Sequence, residues 1–346
     1  MSLDGSRHDV RMRPDELAGV LADGFGLGTP TGLHRVARGA MGAVWRLAVT
    51  GPASYAAKEL FWFDPGQDAV AAEVAYVERC RTAGVRSQRA VATPSGRYVL
   101  PADGRWWRLY EWIDGGVPDR TDPAIASWMT RQMARIHAVD APGGYDAGPP
   151  AADRLWYYRV DADWPGLAVD ARRAGVSWAG QLDAAVRRLC ELTALVNAGP
   201  VGAMVRCHRD LNGDNVVLDP AGARWLVDWD NYGPLEPWRE LGALLVEHAA
   251  EPVALSGLAA TYRDAGGPIA RSNDFVAPAG GTLFATGLAI WLNFLAEQAR
   301  TVLDGGVDAE QGAWSAARVA GLIGPFPSVP ELDAAAGVVH AALSGS

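Results

Sequence analysis

The sequence predicts an α+β fold in two lobes: a small N-terminal β-sheet lobe with one main helix, and a larger, mostly helical C-terminal lobe. Three observations carry this. Between Leu33 and Trp112 the apolar runs are short and bounded by glycines and turn residues. One segment in that region, Asp68–Arg81, has helical spacing instead. Beyond Asp122 the helical period dominates, broken by one polar hairpin at Cys207–Asp230. The boundary is placed between residues 1–112 and 113–346.

The bounds of the chain fit that division. With 346 residues the length prior is about two domains. The formal charge of -9 argues against a nucleic-acid partner and is compatible with attraction of cations or with solubility alone. Cys80, Cys190 and Cys207 show no CxxC spacing, so a reduced, cytoplasmic protein is expected. The opening MSLDGSRHDV lacks the apolar core of a signal peptide. Ala279–Leu295 is uncharged but short, interrupted by glycines and without basic flanks; it reads as a core helix, and no membrane partner is expected. Oligomeric state is left open. Among 31 basic residues only Lys58 is a lysine, which marks a site where a planar guanidinium will not serve.

In the N-terminal lobe, Pro14–Asp23 reads as a short amphipathic helix, a lid or a brace. Val36–Leu47 is an apolar run bent around Gly39 and Gly42, and Ser54–Leu60 carries Lys58. Gly39-x-x-Gly42 alone is a weak signal, and an ordinary hairpin explains it equally. In Asp68–Arg81 the buried stripe is Val70, Val74 and Val77, with Glu73 inside it and Glu78 at its edge. A carboxylate on a buried face needs a cationic partner, and Lys58 is the expected one. Arg97–Leu100 and Trp106–Trp112 form a hairpin around Asp103-Gly104. Glu111-Trp-Ile113 then runs into Asp114-Gly-Gly116.

In the C-terminal lobe, Asp122–His137 is a helix with Pro123 near its start and Ile125, Trp128, Met129, Met133 and Ile136 on its apolar face. His137 reads as a structural or core histidine. Gln181–Val196 is a second helix. Between them, Asp153–Trp178 is rich in aromatic and acidic residues, with Trp156, Tyr157, Asp161 and Asp163 at its centre. Aromatic faces with carboxylates suit a cationic or sugar-like ligand; a packed helix whose aromatics are core fits as well. Trp238, Leu241, Leu244 and Leu245 bury a helix after Tyr232–Glu236, where Arg239 and Glu240 either brace the polar hairpin or pair on the surface. Further helices are expected near Leu255–Asp264, Pro278–Leu303, Ala309–Leu322 and Pro330–Leu343, with Trp291 a candidate wall of an acceptor cleft.

The polar hairpin carries the chemistry. Val216–Leu218 and Trp225–Val227 read as two short antiparallel strands around Pro220-Ala-Gly222. Asp210 and Asn215 then precede the first strand and Asp228 closes the second. Oxygen-bearing side chains converging on one end of a hairpin suit a hydroxyl substrate and Mg²⁺, which takes oxygen ligands and shares them with phosphate. Asp210 would accept a hydroxyl proton, and Asn215 with Asp228 would hold metal.

His208-x-Asp210 with Asn215 resembles the H-x-D-x-x-x-x-N motif of the aminoglycoside phosphotransferase and choline kinase family, small-molecule kinases distantly similar to protein kinases. Asp228 falls where that family's second metal-binding aspartate is expected. The resemblance is specific over His208–Glu240, moderate over Gly39–Glu73 and weaker elsewhere. It implies a protein-kinase-like fold and ATP-dependent phosphorylation of a small-molecule hydroxyl, with ATP and Mg²⁺ as cofactors. It also implies that His208 supports the catalytic loop, that Gly39 and Gly42 lie over phosphates, and that Lys58 holds phosphates while Glu73 holds Lys58. The backbone of Glu111 and Ile113 would meet adenine. The acceptor class spans aminoglycosides, other amino sugars and cationic metabolites, and with them antibiotic resistance. Two rivals stand beside this reading. A protein kinase would carry a lysine where Asn212 stands and a D-F-G where the chain has Asp228-Trp-Asp230. A nucleotide-binding module without turnover would usually lose Asp210, a metal ligand or Lys58, and all are present.

Overall fold

The fold is a computed structural model that describes residues 12–39, 41–61, 63–140, 155–271, 273–307, 309–324 and 326–345. The N-terminal ten residues and Asp153 lie outside the described residues. The chain divides into two compact units. The first holds the described residues up to Thr82 together with Arg86–Val117 and Val216–Val227; the second holds Ala83–Val85, Pro118–Asn215 and the chain from Asp228 onward. The hairpin at 216–227 thus belongs to the N-terminal unit, a long-range association that a single boundary after residue 112 does not contain.

In the first unit, α1 (Pro14–Gly24) starts on Pro14, whose missing N–H costs nothing in a first turn. Strands β1 (Pro30–Arg38), β2 (Gly42–Val49) and β3 (Ser54–Leu60) follow as an antiparallel meander. Helix α2 (Gln67–Thr82) buries Val70, Glu73, Tyr76, Val77 and Cys80. Strands β4 (Ala90–Val91), β5 (Leu100–Ala102) and β6 (Arg105–Glu111) complete the sheet in the order β1-β2-β3-β6-β4, with β5 on β6. The β5–β6 turn places Asp103 and Gly104 at φ 51° and 68°, the left-handed pair a two-residue hairpin turn demands. Leu17 and Leu21 of α1, with Phe25 just past its end, pack on Leu33, Leu47, Trp107 and Leu109, so α1 is a brace built into the core.

The second unit is mostly helical. Helix α3 (Pro123–Asp140) buries Ile125, Met129, Met133, Ile136 and His137. After α4 (Leu155–Tyr158) comes α5 (Trp164–Ala174), started by Asp163, whose carboxylate accepts the Gly166 N–H at 3.0 Å, and ended by left-handed Gly175. Helix α6 (Ala179–Asn197) buries Leu182, Leu189 and Leu192. Strand β7 (Val205–Cys207) leads into the polar loop. The hairpin strands β8 (Val216–Leu218) and β9 (Arg224–Leu226) are followed by β10 (Gly233–Leu235), which pairs with β7 so that Gly233 faces Cys207. Strand β10 is not expected from the sequence, and of β7 only Cys207 reads there as a buried strand residue. Helices α7 (Pro237–Leu245), α8 (Pro252–Asp264), α9 (Ala285–Asp304), α10 (Ala309–Leu322) and α11 (Val329–Ser344) close the unit. The start of the expected Pro278–Leu303 helix is a 3-10 turn, Gly280–Phe284, before α9 proper. No helix among the described residues is long and apolar enough to cross a membrane.

Candidate active site

The second unit gathers His208, Asp210, Asn215 and Asp228 around one loop. His208 is fully buried, its ring 4.6 Å from that of Trp229, and its Nδ1 accepts the Asp210 N–H at 3.3 Å. Its contacts therefore fix the loop. The Asp210 carboxylate is held by side-chain amides. Asn212 Nδ2 donates to Oδ1 at 2.8 Å, Asn215 Nδ2 to Oδ2 at 3.0 Å, and Asn231 Nδ2 to Oδ2 at 3.3 Å. Asn215 also donates to the Asp210 carbonyl at 2.8 Å, which locks the loop across its short 3-10 turn. Arg120 pairs with Asp214 on that same turn, both half-exposed.

Burial is the largest cause that pushes the Asp210 carboxyl above its ordinary value, and the nearby Asp228 charge adds to it. His208 and the Asn215 and Asn212 amides pull the other way. A carboxylate raised in this manner is a better proton acceptor than a solvated one. The mutual repulsion of Asp210 and Asp228 is also the kind of charge that a hard cation relieves.

Two non-glycine residues here, Arg209 and Asp228, take left-handed backbone, with φ 66° and 62°. Such conformations cost on the order of 1–3 kcal/mol each and persist only where the surroundings enforce them. Glu240 supplies part of that enforcement. It is 2% exposed, accepts the Arg209 N–H, and is bound by His137 Nε2 at 2.6 Å. His137 Nδ1 in turn meets Tyr262 Oη at 2.8 Å. Burial alone would raise the Glu240 carboxyl; the His137 hydrogen bond and charge, His208 and the Arg209 N–H together bring it below the ordinary range. Of the two roles open to Glu240 in the sequence, bracing is the one found. Arg239, fully buried, lies 3.4 Å from Glu236 and over the Tyr158 ring at 4.2 Å. His137, Cys207 and Glu240 also lie within metal-ligand reach of one another. The direct His137–Glu240 bond uses their ligand atoms, and burial followed by the Glu240 charge keeps the Cys207 thiol protonated.

In the first unit Lys58 is on β3, opposite Arg108 of β6. Facing cross-strand residues share one side of a sheet. On that side Glu73 receives Arg108 through two bonds, Nη1–Oε2 at 2.9 Å and Nη2–Oε1 at 2.6 Å. Arg108 is thus a cationic partner of Glu73, and a residue the sequence reading did not single out. Its signal was present: an arginine inside the apolar run Trp106–Tyr110. Gly42 begins β2, where a Cβ would lie 2.2 Å from the Glu59 carbonyl oxygen, and the Gly39 N–H donates to the Gly42 carbonyl at 2.9 Å. The Glu111 N–H is bound to the Arg89 carbonyl at 2.9 Å, and Ile113 follows the end of β6.

Much of the aromatic surface in the described part of the segment before α6 is packed in the core. Tyr157 is 6% exposed beneath the Arg209 guanidinium, and Tyr158 donates to buried Glu236. Trp156 lines the same core, and its carbonyl accepts from Asn293. Asp161 pairs with Arg159 at 2.7 Å on the surface, while Asp163 is spent on the start of α5. Trp291 donates to the Leu322 carbonyl at 3.0 Å with its ring against Phe326. The tyrosine rings are buried and the tryptophan rings partly so, because aromatic surface is recovered most readily by burial, while the two carboxylates stay at the surface.

An antiparallel sheet with one main helix, joined to a helical unit that carries an H-x-D loop, defines a kinase-like α+β fold. Residues 33–273 match the model of the phosphotransferase enzyme family (APH), more than half of the chain. The chain belongs to that family. Among solved structures it is similar to an aminoglycoside phosphotransferase from Alicyclobacillus acidocaldarius, at 15% identity and TM-score 0.57, covering 99% of each chain. It is also similar to a spectinomycin phosphotransferase solved with ADP and spectinomycin, at 12% identity and TM-score 0.62, over 94% of this chain and 98% of the other. An amicoumacin kinase solved with AMP-PNP and Ca²⁺ matches at 15% identity and TM-score 0.53, over 89% and 95%. At these identities the likeness is one of fold. No curated protein sequence matches the chain.

Proposed function

We propose that the protein is an ATP-dependent O-phosphotransferase that moves the γ-phosphoryl group to a hydroxyl of a small, cationic molecule of the amino-sugar or antibiotic class, in the cytoplasm. The observation that carries the reading is the Asp210 carboxylate, raised by burial beside Asp228 and held by three side-chain amides. That is a base fixed in place and poised to take a hydroxyl proton. Asn215 and Asp228 offer the oxygen donors Mg²⁺ prefers, and the Asp210–Asp228 repulsion is the charge it would offset. Bound there, Mg²⁺ would neutralise phosphate charge. Lys58 would hold phosphates from β3, with Glu73 and Arg108 as its setting, and the backbone from Glu111 to Ile113 would meet the base. Family membership and relatives solved with ADP or AMP-PNP support the nucleotide. The charge of -9 supports a cationic acceptor.

The test is ATP consumption measured across aminoglycosides, amino sugars, choline analogues and nucleoside antibiotics. A cationic hydroxyl compound consumed in a Mg²⁺-dependent manner, and lost in Asp210→Ala, is the expected result. Turnover of protein substrates alone, or none with any acceptor despite nucleotide binding, would return the reading to its two rivals.

A further inference from the structure

Arg209 sits between His208 and Asp210, yet its side chain turns away from the loop it belongs to. Its Nε donates to the Asn231 carbonyl, and its Nη2 donates to the Tyr232 carbonyl at 3.1 Å. Its guanidinium lies 4.8 Å over the Tyr157 ring, which holds the fork flat. The fork therefore grips the segment that follows Asp228. Three further observations converge on the same grip. Arg209 and Asp228 are the two left-handed non-glycine residues of the site, one on each of the segments being joined. The Arg209 N–H is itself anchored, to Glu240. Gly233 lies where a Cβ would come within 2.6–2.9 Å of Arg209 Cζ, Nη2 and Nη1. Gly233 has no positive φ, so its lack of a side chain answers to the arginine and not to its backbone.

We infer that Arg209 is a positioning residue, which clasps the Asp228 segment to the catalytic loop and so fixes Asp228 relative to Asp210, and that Gly233 is the slot through which its guanidinium passes. A planar fork of several donors suits two neighbouring carbonyls in a way one ammonium does not. The clasp needs no substrate and no modification. Its functional half rests on the proposed reading of Asp228 as a Mg²⁺ ligand.

The experiment measures ADP affinity by calorimetry with and without Mg²⁺, and thermal stability in metal-free buffer, for wild type, Arg209→Ala, Arg209→Lys, Gly233→Ala and Gly233→Ala/Arg209→Ala. Outer groups that orient metal ligands typically contribute roughly 10–100-fold to metal affinity. Arg209→Ala should lower the Mg²⁺-dependent gain in ADP affinity by that factor and leave metal-free ADP affinity within about twofold. General loosening of the fold would not split the two affinities in this way. Gly233→Ala should produce the same split without changing any charge, and the double variant should match Arg209→Ala alone, because the added methyl has nothing left to displace. The stability measurement should show the same non-additivity without any ligand. Additive effects of the two substitutions, in stability and in affinity, would overturn the clasp. A Mg²⁺ gain unchanged in Arg209→Ala would overturn its role toward Asp228. Wild-type protein whose ADP affinity ignores Mg²⁺ would overturn the metal reading itself, while non-additive stability would still uphold the clasp.

Discussion

Replacing Arg108 by methionine isolates a deeply buried charge pair of the first unit. Arg108 and Glu73 are 2% and 7% exposed at their side chains and share two short bonds. Methionine keeps most of the length and apolar contact but removes both donors. Removing one member of a buried pair costs about 3–5 kcal/mol, because the other charge stays behind without it. Lys58 occupies the register position facing Arg108 on the same side of the sheet, and a cation there would soften that loss, so the lower end is expected. With about 2–4 °C of melting temperature per kcal/mol in a large domain, a loss of about 3 kcal/mol lowers it by roughly 6–12 °C. The assay is thermal unfolding followed by tryptophan fluorescence, because Trp45, Trp106, Trp107 and Trp112 all report on this unit. A second variant, Arg108→Met/Glu73→Leu, replaces the pair by apolar groups and should recover most of the loss. A single variant within about 1 kcal/mol of wild type, or a double variant no better than the single, would refute the claim that Glu73 depends on Arg108.

Asp210→Ala should leave folding and nucleotide affinity close to wild type and lower kcat by at least ~10²–10³ once an acceptor is in hand, the scale of a lost acid–base group; steady-state kinetics checks this. Glu240→Gln should flatten the acid side of a melting-temperature profile. The fold lowers the Glu240 pKa, so the ionised carboxylate stabilises fully above its ordinary value of about 4.3 and loses that effect as pH falls through the lowered one. An acid limb identical in the variant would count against the bracing role. Lys58 is half-buried and has no other lysine to obscure it. Amine acylation read by peptide mapping should slow when ATP–Mg²⁺ is added and not with an unrelated anion at equal ionic strength. Unaltered labelling would remove Lys58 from the nucleotide site.

What could be read from the sequence follows from how each signal is encoded. The β8–β9 hairpin was legible because its strands flank a proline–glycine turn, and α2 because Val70, Val74 and Val77 repeat at helical spacing, although the buried face includes Glu73 and not Val74. His208, Asp210 and Asn215 were legible as a spaced set of residue types. Strand β10 and the pairing of β7 were not: three residues hold no period, and that pairing joins segments on either side of the hairpin. Arg108 showed only as an arginine inside an apolar run, and its partner Glu73 comes from α2, a strand-to-helix pairing that the local pattern does not encode. The aromatic segment showed its composition but not its direction, so core and cleft were equally open, and the burial of Tyr157 under Arg209 had no signal in the sequence. Asn231 escaped notice because a lone asparagine in a turn is ordinary. Its hydrogen bond to Asp210 is what sets it apart.

The left-handed backbone at Asp228 bears on how this protein would respond to engineering. Glycine occupies that conformation without the steric penalty aspartate carries. A library screened only for heat resistance is therefore drawn toward glycine at residue 228, and it would be rewarded for discarding the carboxylate on which the proposed chemistry depends. Thermostable descendants chosen that way would fold well and do nothing. A screen of this protein must weigh turnover alongside melting, and residue 228 is the position at which the two criteria part company.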